Sequence, residues 1–195
     1  MTFRPLPPWR LVLASASPRR RQLMQAMDLP VEITQVEVDE TPPAGMDAAL
    51  VAEHIARRKA DAWAGNLMDD QVLITADTTV VVDDLLLNKP ADRADAHRML
   101  SLLCGLEHAV HTGVCLRTTR ERMSFTDTAL VRMVKLSNEE IAYYVDRHQP
   151  LDKAGAYGVQ DWIGLVGVER ITGSFFTVMG LPTHRIYQVL RQLAP

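Results

Sequence analysis

Three groups of side chains in this sequence have the types and spacing to handle a small, strongly charged molecule. The first is the run Ser15-Ala16-Ser17-Pro18-Arg19-Arg20. Ser17 is a good N-cap and Pro18 suits the first helical position, so a helix starts here. The unpaired N–H groups and partial positive charge of such a start suit phosphate, and guanidiniums add paired donors matched to phosphate oxygens. The same run also reads as an ordinary capped helix with a solvated basic turn, and Arg21 reads as a surface residue on either view. The second group is acidic: Asp39 and Glu40 close one predicted strand and Asp77 closes another. Carboxylates at strand ends can meet at one edge of an α/β sheet, where ligands commonly bind. Mg²⁺ favours one or two carboxylates supplemented by substrate phosphates and water. A turn-forming aspartate is the alternative for Asp77, and Asp83-Asp84 reads as the turn of a hairpin. The third group is the lysines, only 4 against 17 arginines. Lys59 follows Arg57-Arg58 on a helix, either a solvated face or a ligand contact. Lys89 precedes a proline, which restricts it to extended backbone. Lys153 opens a small-residue stretch that ends at Gln160, either a structural turn or a close approach to a ligand.

The elements that must position these groups follow from hydrophobic period and turn chemistry. Arg10–Ser15 reads as a buried strand, and the helix after Ser17 has Leu23, Met24 and Met27 as its inner face. Val31–Val38 alternates as a strand. Asp47–Ala64 has helical period with Leu50, Val51, Ile55 and Ala56 inward. Gln71–Thr75 is an apolar strand, and Val80–Val82 with Leu85–Leu87 predicts a hairpin. Asp92–Cys104 is helical with Gly105 closing it. Val110–Arg117 and Thr126–Val134 read as antiparallel strands. Ser137 and Glu140 form a capping-box pattern before a helix to about Arg147. Pro150–Gln160 reads as an irregular loop, Ile163–Ile171 and Phe175–Val178 as strands about a turn at Thr172-Gly173, and Thr183–Leu193 as a closing helix. Strand–helix alternation around a β-rich middle predicts a mixed α/β fold.

Composition sets bounds on function. With 195 residues, 47% apolar and 23% charged, the chain suits one globular domain, or two small lobes sharing one core. No apolar run approaches the roughly 18 residues of a membrane span. Met1–Trp9 holds three prolines and no apolar h-region, which predicts a short extension rather than a secretory leader. A net charge of −3 argues against a general nucleic-acid binder while leaving room for a local anion pocket. Cys104 and Cys115 lack metal-ligand spacing and read as buried thiols of a reducing cytoplasm.

Taken in order, the segments LASASPRR (Leu13–Arg20), VDE (Val38–Glu40), ARRKA (Ala56–Ala60), TADT (Thr75–Thr78), NKP (Asn88–Pro90), HTG (His111–Gly113), LDKAGAYGVQ (Leu151–Gln160) and Gly173-Ser174 with Gly180-Leu181-Pro182 span nearly the whole chain. In this order they resemble the Maf-like nucleoside triphosphate pyrophosphatases. The Ala76-Asp77-Thr78 segment and the loop to Gln160 look like the branch that acts on dTTP and UTP. Asn88, and Asp161-Trp162 after Gln160, depart from residues common in the family.

The resemblance implies a single domain over residues 10–195 with an ITPase-like architecture: an elongated mixed sheet, flanking helices and a cleft between two lobes. It implies hydrolysis of dTTP or UTP, or of modified pyrimidine triphosphates, to the monophosphate and pyrophosphate with Mg²⁺ or Mn²⁺. Asp77 is the implied proton acceptor and, with Glu40, a metal ligand. Ser15, Ser17, Arg20, Lys59 and Lys89 are the implied triphosphate contacts. Arg19, Thr78 and Gln160 are the implied specificity positions. A glutamine presents a donor and an acceptor, which match the O4 and N3–H edge shared by uracil and thymine and mispair with cytosine. A cytoplasmic homodimer with no nucleic-acid or membrane partner is the matching expectation. The competing readings are a non-catalytic nucleotide-binding regulator of cell division, in which Asp77 and Glu40 would be dispensable, and a 7-methyl-GTP pyrophosphatase.

Overall fold

The computed structural model of the protein describes residues 9–193, so residues 1–8 of the expected extension lie outside them; Trp9, its last residue, is buried. In chain order the elements are β1 (Arg10–Ala14), α1 (Pro18–Ala26), β2 (Val31–Thr34), α2 (Ala48–Ala62), β3 (Gln71–Val82), β4 (Leu85–Leu87), α3 (Arg93–Leu103), β5 (Glu107–Arg117), β6 (Arg122–Met133), α4 (Asn138–His148), a 3-10 turn (Ala154–Ala156), α5 (Trp162–Gly167), β7 (Val168–Thr172), α6 (Phe175–Met179) and α7 (Thr183–Gln192). The strands form one mixed sheet in the order β2-β1-β3-β5-β6-β7, with β4 paired to β3. The expected mixed α/β class holds. Among the described residues no helix is long and apolar enough to cross a membrane.

The chain divides into two compact units. One comprises the chain up to Asp77, Thr112–Asp127 and the segment from Gly180 onward; the other comprises Thr78–His111 and Thr128–Met179. In the first unit β1 pairs in parallel with β2 and with β3, so that Leu11 faces Val31 on one side and Val72 on the other. Val12, Ala14, Leu73 and Cys115 make a core with Ala56 and Ala60 of α2. Asp47 caps α2 by accepting from Ala49 N–H at 2.9 Å. β5 passes so close to α2 that a Cβ on Gly113 would overlap the backbone of Ala52 and Glu53. Only glycine permits that approach.

In the second unit, the end of β3 turns into β4 through Asp83 and Asp84, whose φ values of 46° and 64° are those of the tight hairpin turn that the sequence suggests. Leu87, Leu100, Leu103, Met133, Tyr144 and Ile163 make its core. Ser137 and Glu140 form the capping box of α4.

Five expectations need correction. β3 does not end at Thr75; it runs unbroken from Gln71 to Val82, so Asp77 lies within a strand rather than at its end. The strand tolerates the carboxylate because a buried charge with a bonded partner avoids the large cost of an unpaired one, and Lys59 supplies that partner at 2.7 Å. β2 stops at Thr34 because its neighbour β1 stops at the paired Ala14. Asp39 and Glu40 therefore lie in an irregular segment. Leu50 is 55% exposed, since the buried stripe of α2 runs through Val51, Ala52, Ile55, Ala56, Lys59 and Ala60. Residues 162–167 and 175–179 are helical where strands were expected; only 168–172 pairs as a strand. Short apolar runs do not distinguish helix from strand by themselves, and Gly164 here lies against the backbone of Val159. Cys115 is buried and Cys104 only half-buried.

Candidate active site

The site residues of the first unit begin at the turn from β1 into α1. Ser17 caps α1, its Oγ accepting from Arg20 N–H at 3.5 Å, while Ser17 N–H donates to the Oγ of buried Ser15 at 3.2 Å. Arg20 folds back from this helix. Its Nε donates to the Gly180 carbonyl and its Nη1 to the Ala76 carbonyl, both at 2.8 Å, and Nη1 also reaches Ser15 Oγ at 3.4 Å. The guanidinium thus holds the peptide immediately before Asp77. Burial lowers the Arg20 pKa and the Arg19 charge lowers it further, while Asp77 and Glu40 raise it. An arginine nonetheless stays charged, so a cation is fixed beside the start of α1. Arg21 is exposed.

Lys59 lies on the buried stripe of α2, which decides between its two sequence readings: it is not on a solvated face. Its ammonium donates to Asp77 Oδ1 and to Glu40 Oε1, each at 2.7 Å. The Lys59 and Asp77 side chains are each 11% exposed and Glu40 is 39% exposed. The turn of α2 carrying Lys59 is tied down on both sides. Thr75 Oγ1 donates to the Ala56 carbonyl at 2.6 Å, and Arg117 Nη1 donates to the Ala60 carbonyl at 2.5 Å. Earlier on α2, the Glu53 carboxylate accepts from Ser124 at 2.6 Å and from Thr126 at 3.2 Å. Sequence reasoning missed these supports. Thr75 carried a readable signal, as a hydroxyl inside an apolar strand must find a partner. Glu53, Arg117, Ser124 and Thr126 carried none, because their partners are far away in sequence.

Glu40 and Asp77 offer hard oxygens that border one point, and that point already holds a cation, the Lys59 ammonium. Among the described residues no group of three or more His, Cys, Asp or Glu side chains forms a cage for a metal. Two carboxylates without a protein cage fit Mg²⁺ or Mn²⁺ of the kind that arrives with phosphate oxygens and water as its other ligands. An ammonium has three hydrogens. Glu40 and Asp77 take two of them.

The other named residues belong to the second unit, apart from Arg19, which is half-buried in the first turn of α1. Thr78 follows Asp77 along β3 and is half-buried. Lys89 is exposed just after β4, and the neighbouring Asn88 carbonyl accepts from Gly155 N–H at 3.2 Å, which joins this turn to the small-residue loop. Gln160 is exposed at the end of that loop. Lys153 bonds to Asp152 at 2.7 Å and lies 3.9 Å from Asp161, which gives it a structural role in the loop.

Comparison with known proteins places the chain among relatives. Residues 10–193 match the family model described as Maf-like protein. A dTTP/UTP pyrophosphatase of Bacteroides thetaiotaomicron is 48% identical over 186 residues, 95% of this chain and 96% of that protein. Proteins of the same name from Parabacteroides distasonis and Flavobacterium psychrophilum are 45% and 40% identical, over 94% and 93% of this chain and 95% and 93% of theirs. A match over nearly the whole length, through every segment that carries the buried carboxylate–lysine cluster, shows that the chain belongs to the Maf-like protein family.

Proposed function

We propose that the protein is a nucleoside triphosphate pyrophosphatase that hydrolyses dTTP and UTP to the monophosphate and pyrophosphate. The observation that carries this reading is the Lys59 ammonium shared by Asp77 and Glu40 at 2.7 Å each. A non-catalytic binder has no use for two partly buried carboxylates in a pocket for a polyanion. A hydrolase needs them to hold a cation and to take a proton. The relatives named dTTP/UTP pyrophosphatase support the substrate class.

In the reaction a water oxygen bonds to the α-phosphorus and the bond from that phosphorus to the bridging oxygen breaks. Pyrophosphate leaves with the electron pair, and the water proton passes to a base. Asp77 is the base. It is held by Lys59 and by its place in the middle of a strand, so it orients water without reorganising. Mg²⁺ or Mn²⁺ held by Glu40, Asp77 and the triphosphate would make water more acidic and neutralise phosphate charge. Ser15, Ser17 and the N–H groups opening α1 bind phosphate oxygens. Arg20, Lys59 and Lys89 neutralise the polyanion, with Arg20 acting through its charge, because Nε and Nη1 are engaged with carbonyls. Arg19, Thr78 and Gln160 read the base. Residues 10–195 act as one domain, as a homodimer in the cytoplasm, which light scattering on the purified protein tests for its oligomeric part.

The decisive test is pyrophosphate release from a panel of triphosphates with Mg²⁺ and with Mn²⁺. UTP and dTTP are expected to turn over faster than CTP and 7-methyl-GTP. Nucleotide binding with no pyrophosphate release would overturn the reading in favour of a regulator.

A further inference from the structure

At the end of the small-residue loop, four groups in the second unit form a continuous hydrogen-bond chain. Gln160 Nε2 donates to Asp161 Oδ1 at 3.2 Å. Asp161 Oδ2 accepts from the Tyr144 hydroxyl at 2.9 Å, and the Tyr144 oxygen accepts from Gly158 N–H at 3.1 Å. Gly158 makes the arrangement possible: a Cβ there would overlap Asp161 Oδ2 and crowd Gln160 Nε2. Tyr144 is fully buried, and burial raises its pKa well above the ordinary value, so it keeps its proton. The direction of each bond is therefore settled by chemistry. The Gly158 N–H points at the phenol oxygen, the phenol proton points at Asp161, and a carboxylate can only accept.

We propose that Asp161 is a positioning residue that sets which way round the Gln160 carboxamide faces, and thereby makes the site choose uracil and thymine over cytosine. This rests on the reading of Gln160 as the base-contacting residue. A free glutamine side chain is indifferent between these bases, because a half-turn of its amide exchanges donor and acceptor. One face matches O4 and N3–H of uracil, and the other matches N4–H and N3 of cytosine. Asp161 removes that freedom. With Nε2 toward the carboxylate a hydrogen bond forms; with Oε1 there, two acceptors face each other without a hydrogen. Gln160 keeps one N–H and its Oε1 for the base, in a fixed sense.

The isosteric variant Asp161→Asn gives a directional test. The buried Tyr144 proton still requires an acceptor, which the asparagine oxygen supplies. The asparagine NH₂ then faces Gln160 and favours the reversed amide. The ratio of kcat/KM for UTP over CTP is expected to fall at least tenfold. Asp161→Gly, which removes the acceptor without offering a donor, is expected to lower the ratio less and serves if the asparagine variant does not fold. Gln160→Ala is expected to lower the ratio by roughly tenfold, and adding Asp161→Asn to it should change the ratio no further. If Gln160→Ala lowers the ratio but both Asp161 variants keep it, or lose both triphosphates equally, orientation by Asp161 is wrong and base reading by Gln160 stands. If Gln160→Ala itself leaves the ratio unchanged, base reading by Gln160 falls, and the role of Asp161 falls with it.

Discussion

Asp77 shows how one residue's environment decides its chemistry. A carboxylate in the middle of a strand would destabilise the sheet were it alone; beside Lys59, at 2.7 Å, it is paired and oriented. Asp77→Asn keeps the volume and removes the charge and, with it, the base of the proposed reaction. Pyrophosphate release is expected to fall at least about a hundredfold, with the circular dichroism spectrum unchanged. Retention of more than about a tenth of the rate would assign the base to another residue. Glu40 bonds to the same ammonium but is more exposed, and it takes no proton in the scheme. Glu40→Gln is expected to shift metal titrations toward higher concentration, with Mn²⁺ in excess partly restoring the rate. Coincident titrations of variant and wild type would remove Glu40 from the ligand set and turn attention to its neighbour Asp39.

At the scale of elements, α2 is the part that carries Lys59 to the carboxylates. Its seat depends on Gly113 of β5, where no Cβ fits against Ala52 and Glu53, and on the hydroxyl of Thr75. Gly113→Ala should push α2 off the sheet. The expected loss is about 1–3 kcal/mol, typical of overpacking, and each kcal/mol lowers the melting temperature by a few degrees in a chain of this size. UTP saturation should weaken at the same time because Lys59 moves with the helix. A melting temperature equal to that of the wild type would show that the helix accommodates the methyl group.

For the whole molecule, stability should depend on pH through a group that takes no part in the proposed reaction. His108 on β5 is 2% exposed, its Nε2 is 2.8 Å from the Tyr157 hydroxyl, and its Nδ1 has no hydrogen-bond partner among the described residues. Burial pushes its pKa down to about 4 from the ordinary 6.5. The folded state therefore favours the neutral ring, and between pH 6.5 and 4 the unfolded chain binds the extra proton. Stability is complete above about pH 6.5 and falls as the pH drops toward 4, by about 3 kcal/mol at most. Melting temperatures measured across that window should decline steeply in the wild type and less in His108→Leu. Parallel curves would mean that the ring is protonated in the folded protein.

Much of this molecule was legible along the chain because its determinants are local. Ser17-Pro18 starts α1, Asp83-Asp84 turns a hairpin, and Ser137 with Glu140 caps α4, each through contacts within a few residues. The motif segments, taken in order, also pointed to Glu40, Lys59 and Asp77, which the structure brings together. The sequence could not place Asp77, since a polar residue after an apolar run looks like a strand end until its partner is known. That partner lies 18 residues away on another element. Nor could it decide whether Lys59 faces water or the carboxylates, whether 162–167 is helix or strand, or which way Gln160 turns its amide. Those choices depend on packing and hydrogen bonds between distant segments: the buried stripe of α2, the contact of Gly164 with Val159, and the chain from Gly158 through Tyr144 to Asp161. Local patterns specify the elements and the chemistry available, and tertiary contacts alone determine which charges meet.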